Sequence, residues 1–197
     1  MIINVYGCMC SGKSYTAKTI ASIDKTVEHI DLDSFVKIAR EIMPDFKTAY
    51  ENFLLRHFGT AKPELNDLAW GLFSEHHSGY PALLELLEIQ RPYLLEHIRT
   101  CSARHVLVES ATPLRDIGPV FRIKTCWISN TVPDIDRVML RGTNLSRESV
   151  THILKYQERA LSSVIPDRVF LAGSDRGIAT EKEVSDFWYG TYGNAQT

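Results

Sequence analysis

A chain of 197 residues, 44% of them hydrophobic and 23% charged, has enough apolar material for a full core, which argues against a disordered or fibrous protein. Its formal net charge of −2 supplies no global field toward nucleic acid or an anionic membrane, so any basic site has to be local. No apolar run reaches membrane-spanning length, the first residues lead into a glycine loop rather than an apolar leader core, and the four cysteines show no paired framework; a reducing, cytoplasmic setting is expected.

Ile2–Tyr6 is apolar and β-rich and runs into glycine, which reads as a buried strand feeding a loop, with helical residues over 13–21. Val27–Asp31 reads as a second strand ending in acid. Phe35, Ile38, Ala39 and Ile42 then recur at helical spacing over 34–43, and Pro44 ends that helix. A long helical stretch follows. Phe46, Ala49, Tyr50, Phe53 and Leu54 share one face, and Leu65, Leu68, Ala69 and Leu72 form a second stripe. Pro81 suits the first turn of another helix, which is expected to break or kink at Pro92 and resume to Ile98. Strands are expected at 104–109, Ile123–Ser129 and 168–172, helices at 133–140, from Ser146 onward and at Glu181–Trp188, and a frayed tail at 190–197. Strands alternating with helices predict an α/β fold, a three-layer α/β/α arrangement with a mostly parallel five-stranded sheet; the glycine motif that follows the first strand makes it the P-loop type. The boundaries predict one domain, with a core of residues 1–43 and 103–190, a helical insertion at 44–102 and a short lid at 137–158.

Gly7-Cys8-Met9-Cys10-Ser11-Gly12-Lys13-Ser14 matches G-x-x-x-x-G-K-[ST], with a predicted strand before it and a helix after it. Such a loop folds its N–H groups into a nest around phosphate oxygens, and the following helix points its positive end at the same anion. The spacing assigns ATP to Gly7, Cys10, Ser11, Gly12, Lys13, Ser14 and Tyr15. Lys13 reaches the β- and γ-phosphates, and the Ser14 hydroxyl holds Mg²⁺. Cys8 and Cys10 read as filler or as a redox-sensitive pair near a helix N-terminus, since two cysteines without a partner pair make a poor zinc site. The seven histidines, His76 and His77 among them, show no ligand spacing.

Phosphoryl transfer to a hydroxyl needs a carboxylate near the attacking oxygen. Asp31 and Asp33 end the second strand, and Asp33 is the choice for the group that accepts or orients the hydroxyl proton; the competing role for it is a helix N-cap. Glu109 ends the strand Val106-Leu107-Val108, where an acid can hold Mg²⁺ through water. Arg137 and Arg141 stand four apart on one helix face, Arg147 follows a Gly142-Thr143-Asn144 loop, and Arg141 borders that glycine; these are candidates for a lid that neutralises transition-state charge.

With those parts in place, the chain resembles the dephospho-coenzyme A kinase family of P-loop proteins. The resemblance rests on Ile30-Asp31-Leu32-Asp33 with Ile38-Ala39-Arg40-Glu41-Ile42, on Leu68-Ala69 and Leu86-Leu87-Glu88-Ile89, and on Arg137-Val138-Met139-Leu140-Arg141-Gly142 with Ser146, Ile153 and Gln157. It implies Asp33 as the base, Arg141 as the lid arginine, and transfer from ATP to the ribose 3′-hydroxyl of dephospho-coenzyme A. Three places depart from the family. Arg91-Pro92 stands for His-Pro, Glu109-Ser110-Ala111-Thr112-Pro113-Leu114-Arg115 for Pro-Leu-Leu-x-Glu, and Ala172-Gly173-Ser174 for an Asn-Gly turn at the adenine. Arg91, Asp31 and Asp33 are therefore the acceptor-side candidates, and Arg137 and Gly173 join the nucleotide side. Phage-type kinases acting on deoxynucleoside monophosphates, or on 5-hydroxymethyluracil in DNA, stay open as alternatives. A nucleotide-gated switch is a further reading, weakened because Asn-Lys-x-Asp and an apolar run ending in Asp-Glu are both absent.

Overall fold

A computed structural model describes residues 1–74, 79–114, 123–129, 135–163, 165–171 and 179–193. Five strands, β1 (Ile2–Tyr6), β2 (Val27–Asp31), β3 (His105–Ser110), β4 (Ile123–Ser129) and β5 (Arg168–Leu171), pair in parallel in the order β2-β3-β1-β4-β5. The α/β expectation and its parallel sheet are as read from the sequence. β1 is central and buried at every position, as a strand flanked on both sides and covered on its faces must be. The chain leaves β1 for the edge strand β2, returns inward to β3 beside β1, then crosses to the other side for β4 and β5. That reversal beside the carboxyl end of β1 is where open α/β sheets bind ligands.

The chain divides into two compact units: residues 1–32, 101–133 and 160–197, which hold the sheet, and residues 33–100 and 134–159, which are helical. In the sheet unit, strand alternation puts Ile3, Val5, Leu107, Cys126 and Ile128 on one face. They bury against Ala17 and Ile20 of α1 (Lys13–Ile23), Val184 and Trp188 of α8 (Glu181–Trp188), and Tyr192. Trp188 donates its indole N–H to Asp24 at 3.0 Å, which ties α8 to the end of α1. Thr180 and Glu183 close a capping box at the start of α8.

The helical unit holds most of α2 (Leu32–Ile42), then α3 (Pro44–Phe58), α4 (Leu65–Phe73), α5 (Gly79–Thr100), α6 (Ile135–Leu140) and most of α7 (Arg147–Ser162). Phe46 and Phe53 of α3 are fully buried, and the Phe46 ring meets Tyr93 of α5 edge-on at 4.9 Å. The α7 helix packs on α4. Trp70 meets His152 at 4.5 Å, Phe73 meets Tyr156 at 5.4 Å, and Asn66 accepts from the Ser146 amide at 2.7 Å and the Ser149 hydroxyl at 3.0 Å.

Several expectations change. The second helix begins at Leu32, directly off the strand, so Asp33 sits in its first turn and not at an N-cap. Pro92 lies inside one continuous helix, α5, where Ala82, Leu83 and Leu86 before the proline and Leu94 and Ile98 after it are all buried; that apolar anchorage outweighs the loss of one backbone donor. The tail does not fray at 190, because Tyr189–Gly193 winds into a π-helical turn that buries Tyr192. Among the described residues no helix is long and apolar enough to cross a membrane.

Candidate active site

β1 ends at Tyr6, and residues 7–12 connect it to α1. A Cβ added at Gly7 would lie 2.5 Å from the Ile128 carbonyl oxygen and 2.7 Å from Ser11 Oγ, so only glycine fits where the loop leaves the sheet. Cys10 and Gly12 both take left-handed backbone, at φ 61° and φ 93°. Alternation of this kind turns successive N–H groups toward one side, the arrangement of an anion nest. At Cys10, a residue with a Cβ, it costs on the order of 1–3 kcal/mol, a strain typical of functional loops. The Ser11 amide donates to the Cys8 carbonyl at 3.1 Å. The Ser11 hydroxyl is buried and finds no partner among the described residues. An orphaned hydroxyl of this kind fits a cradle whose remaining oxygens come from a bound phosphate.

The α1 helix starts at Lys13 with Gly12 as its N-cap, so no side chain caps its first amides. Lys13 Nζ donates to the Cys8 carbonyl at 3.3 Å, folding the amine back across the loop. Ser14 Oγ donates to Glu109 Oε1 on β3. The other carboxylate oxygen of Glu109 lies 2.9 Å from His29 Nε2, and both side chains are almost wholly buried, at 10% and 6% exposure. Burial opposes the Glu109 charge. The bonds from His29 and Ser14, with the charge of Lys13 and of His29, outweigh it and hold the carboxyl below its ordinary value, so it is ionised at neutral pH. Being ionised it only accepts, which makes His29 Nε2 the donor.

The phosphate-loop residues thus converge with Glu109. Asp31 is the register partner of Glu109 at the end of β2, so both acids lie at one sheet edge. Tyr15 is 41% exposed on α1. In the helical unit, Asp33 is exposed in the first turn of α2, and Arg91 pairs with Glu88 one turn earlier at 2.5 Å. Arg141 is exposed just past α6, its amide donating to the Val138 carbonyl at 3.2 Å. Arg147 is tied to Asp136 at 2.5 Å, and Arg137 is a backbone position of α6. Gly173, His76 and His77 lie outside the described residues.

Two polar residues escaped the sequence reading. His29 is one, and its signal was available: two residues before Asp31, it shares a strand face with both acids. The other is Asn4, fully buried in β1, which donates to the Val108 carbonyl at 2.9 Å and to Ser110 Oγ at 2.8 Å and accepts from the Leu114 amide at 2.8 Å. It fixes the segment leaving β3 just beyond Glu109. Nothing in a lone asparagine within an apolar run announces that partner set.

A phosphate loop on the central strand of a parallel sheet, with an acid on the adjacent strand touching its serine, settles the architecture. The fold is of the P-loop type. Among solved structures, TT1252 from Thermus thermophilus is similar over 100% of this chain and 98% of its own, with a TM-score of 0.66 and 20% identity, which shows a shared fold. Others are a dephospho-CoA kinase from Campylobacter jejuni (TM-score 0.47, 18% identity, covering 96% and 97%) and a shikimate kinase from Aquifex aeolicus vf5 (TM-score 0.45, 16% identity, covering 99% and 98%). No family model matches the sequence, and no curated protein matches it.

The donor set fits a magnesium nucleotide. Among the described residues no three His, Cys, Asp or Glu side chains converge as a self-sufficient metal site. One hydroxyl with one buried carboxylate is the partial oxygen set that Mg²⁺ uses when phosphate oxygens and water complete its shell.

Proposed function

We propose that this chain is an ATP-dependent phosphotransferase that moves the γ-phosphoryl group to a hydroxyl of a small nucleotide-like acceptor, with the 3′-hydroxyl of dephospho-coenzyme A the leading candidate. The observation that carries the reading is the contact of Ser14 with an ionised, buried Glu109 beside a strained glycine loop. The loop amides and Lys13 bind the β- and γ-phosphates, with Gly7, Cys10, Ser11, Gly12 and Tyr15 in contact with the nucleotide and Arg137 and Gly173 completing its site. Ser14, and Glu109 through water, would hold Mg²⁺, which supplies charge neutralisation on the phosphates. Asp33 accepts the proton of the attacking hydroxyl as that oxygen bonds to the γ-phosphorus and the bond to the β-bridging oxygen breaks, releasing ADP. Arg141 neutralises charge on the moving group, and Asp31 and Arg91 contact the acceptor. The four free cysteines suit a reducing, cytoplasmic setting.

A labelled-ATP transfer panel tests this with dephospho-coenzyme A, deoxynucleoside monophosphates and DNA carrying 5-hydroxymethyluracil as acceptors. Label on dephospho-coenzyme A is the expected result. Label on a deoxynucleotide or on DNA alone would keep the chemistry and replace the acceptor. Slow ATP loss with label on none of them would favour a nucleotide-gated switch and end the kinase reading.

A further inference from the structure

Glutamate at the end of β3 poses a problem that a shorter acid does not. Its carboxylate hangs on one more rotatable bond, and a free glutamate side chain gives up on the order of 1.5–2 kcal/mol of rotamer entropy when fixed. Glu109 nevertheless holds one oxygen on Ser14 Oγ. The restraint comes from the neighbouring strand. His29 pairs in register with Leu107, one alternation before the Asp31–Glu109 pair, so its ring lies diagonally behind Glu109 on the same sheet face. From there Nε2 reaches Oε2 at 2.9 Å, with both side chains almost wholly buried. With Oε2 held from behind, Oε1 is the oxygen left to face the loop.

We propose that His29 is a positioning residue: its Nε2–H clamps Glu109 so that the carboxylate stays aligned with Ser14 to receive the cation of a magnesium nucleotide. The inference rests on the nucleotide-binding reading above but on neither the acceptor nor the transfer step. His29 touches no phosphate and no cation; it acts only through Glu109. Outer partners that orient a metal-binding carboxylate typically change metal affinity by about 10–100-fold when removed.

The test is calorimetric titration of ATP into the intact protein over a series of Mg²⁺ concentrations, with no acceptor present and no turnover needed. Gln and Asn separate the clamp from a merely polar site. The Gln amide nitrogen occupies the position of the histidine Nε2, whereas the Asn nitrogen stops where Nδ1 stood. His29→Asn and His29→Leu should raise the Mg²⁺ needed for half-maximal tightening of ATP by about 10-fold or more. His29→Gln should recover to within about threefold of wild type. ATP affinity in EDTA, set by the loop and Lys13, should move by less than about twofold in all three. His29→Asn and His29→Gln keep a polar side chain at the site, so the contrast survives even if His29→Leu fails to fold. Equal Mg²⁺ dependence in Gln and Asn, or wild-type dependence in folded His29→Leu, overturns the positioning role while leaving nucleotide binding intact. A wild-type protein that binds no ATP with Mg²⁺ takes down the nucleotide reading itself, and the clamp with it.

Discussion

The two compact units keep their polar groups in opposite ways. In the sheet unit the groups that matter are buried: Asn4 is 0% exposed, Ser11 2% and Glu109 5%, and Asn4 and Glu109 are committed to protein partners, the latter on both oxygens. In the helical unit the candidates are surface groups. Asp33 and Arg141 are exposed, Arg91 pairs with Glu88 along its own helix, and Arg147 pairs with Asp136. Surface pairs of that kind hold about 0–1 kcal/mol and exchange cheaply for a ligand. A group desolvated in advance keeps a fixed geometry for its ligand, whereas a solvated arginine takes its geometry from what it binds. On the proposed reading, the contrast sets a phosphate-donor side built into the fold against an acceptor side whose groups stay solvated until a ligand arrives.

The largest effect expected breaks the donor side outright. Lys13→Ala should abolish phosphoryl transfer in the labelled-ATP panel, because in the proposed mechanism its amine is the loop's one side-chain charge for the β- and γ-phosphates. Persisting transfer would mean that the buried cradle is not the donor site. Next in size, Asp33→Asn should cut turnover by about 10²-fold or more, the range for losing a general base, with ATP affinity nearly unchanged. An equal loss of ATP affinity would erase the line between committed and ligand-completed groups, and near-normal turnover would remove Asp33 from the chemistry.

What could be read in advance follows the same line. The phosphate loop was legible because its chemistry constrains a contiguous string, and only glycine satisfies the approach to the Ile128 carbonyl at Gly7. Glu109 was legible as an acid ending an apolar strand. The His29–Glu109 bond spans 80 residues of sequence and depends on the β2–β3 register, which no local pattern fixes, although the shared strand face of His29 and Asp31 pointed that way. The left-handed Cys10 was not expected either, since the pattern leaves that position free and a cysteine there looks like filler. Pro92 misled for a different reason. Helix propensity is a weak prior, and the buried leucines on either side of the proline overrule it.

A stability measurement sharpens the comparison at smaller scale. Asn4→Ala strips three partners of their bonds inside the sheet unit and should lower stability by about 1–3 kcal/mol, seen as a lower urea midpoint. Arg91→Ala removes only a surface pair from the helical unit and should cost less than about 1 kcal/mol. Similar midpoints for the two variants would contradict the division between committed and released polar groups.

The smallest effect concerns pH, and its sign follows from burial in the sheet unit. His105 is 6% exposed, meets the Trp188 ring edge-on at 5.6 Å, and has a buried Nδ1 with no partner among the described residues. Burial first, then the positive amino terminus and Arg104, hold its pKa below the ordinary 6.5, and the opposing charge of Asp24 is too weak to restore it. The unfolded chain therefore takes up a proton at a pH where the folded chain does not. Stability is complete above about 6.5 and falls as the pH drops from there toward the folded-state value. Glu109 acts in a separate window: its folded pKa is depressed below 4.5, so its contribution is present above that value and is lost only as the pH falls lower. Urea midpoints at pH 7.5 and pH 5.5 separate the two, since this interval crosses the histidine window and stays above the glutamate one. Wild type should lose stability between them, and His105→Phe, which keeps a ring against Trp188 without the basic nitrogen, should lose less. An identical drop in both proteins would assign the acid sensitivity to other groups and leave the His105 imidazole a packing element alone.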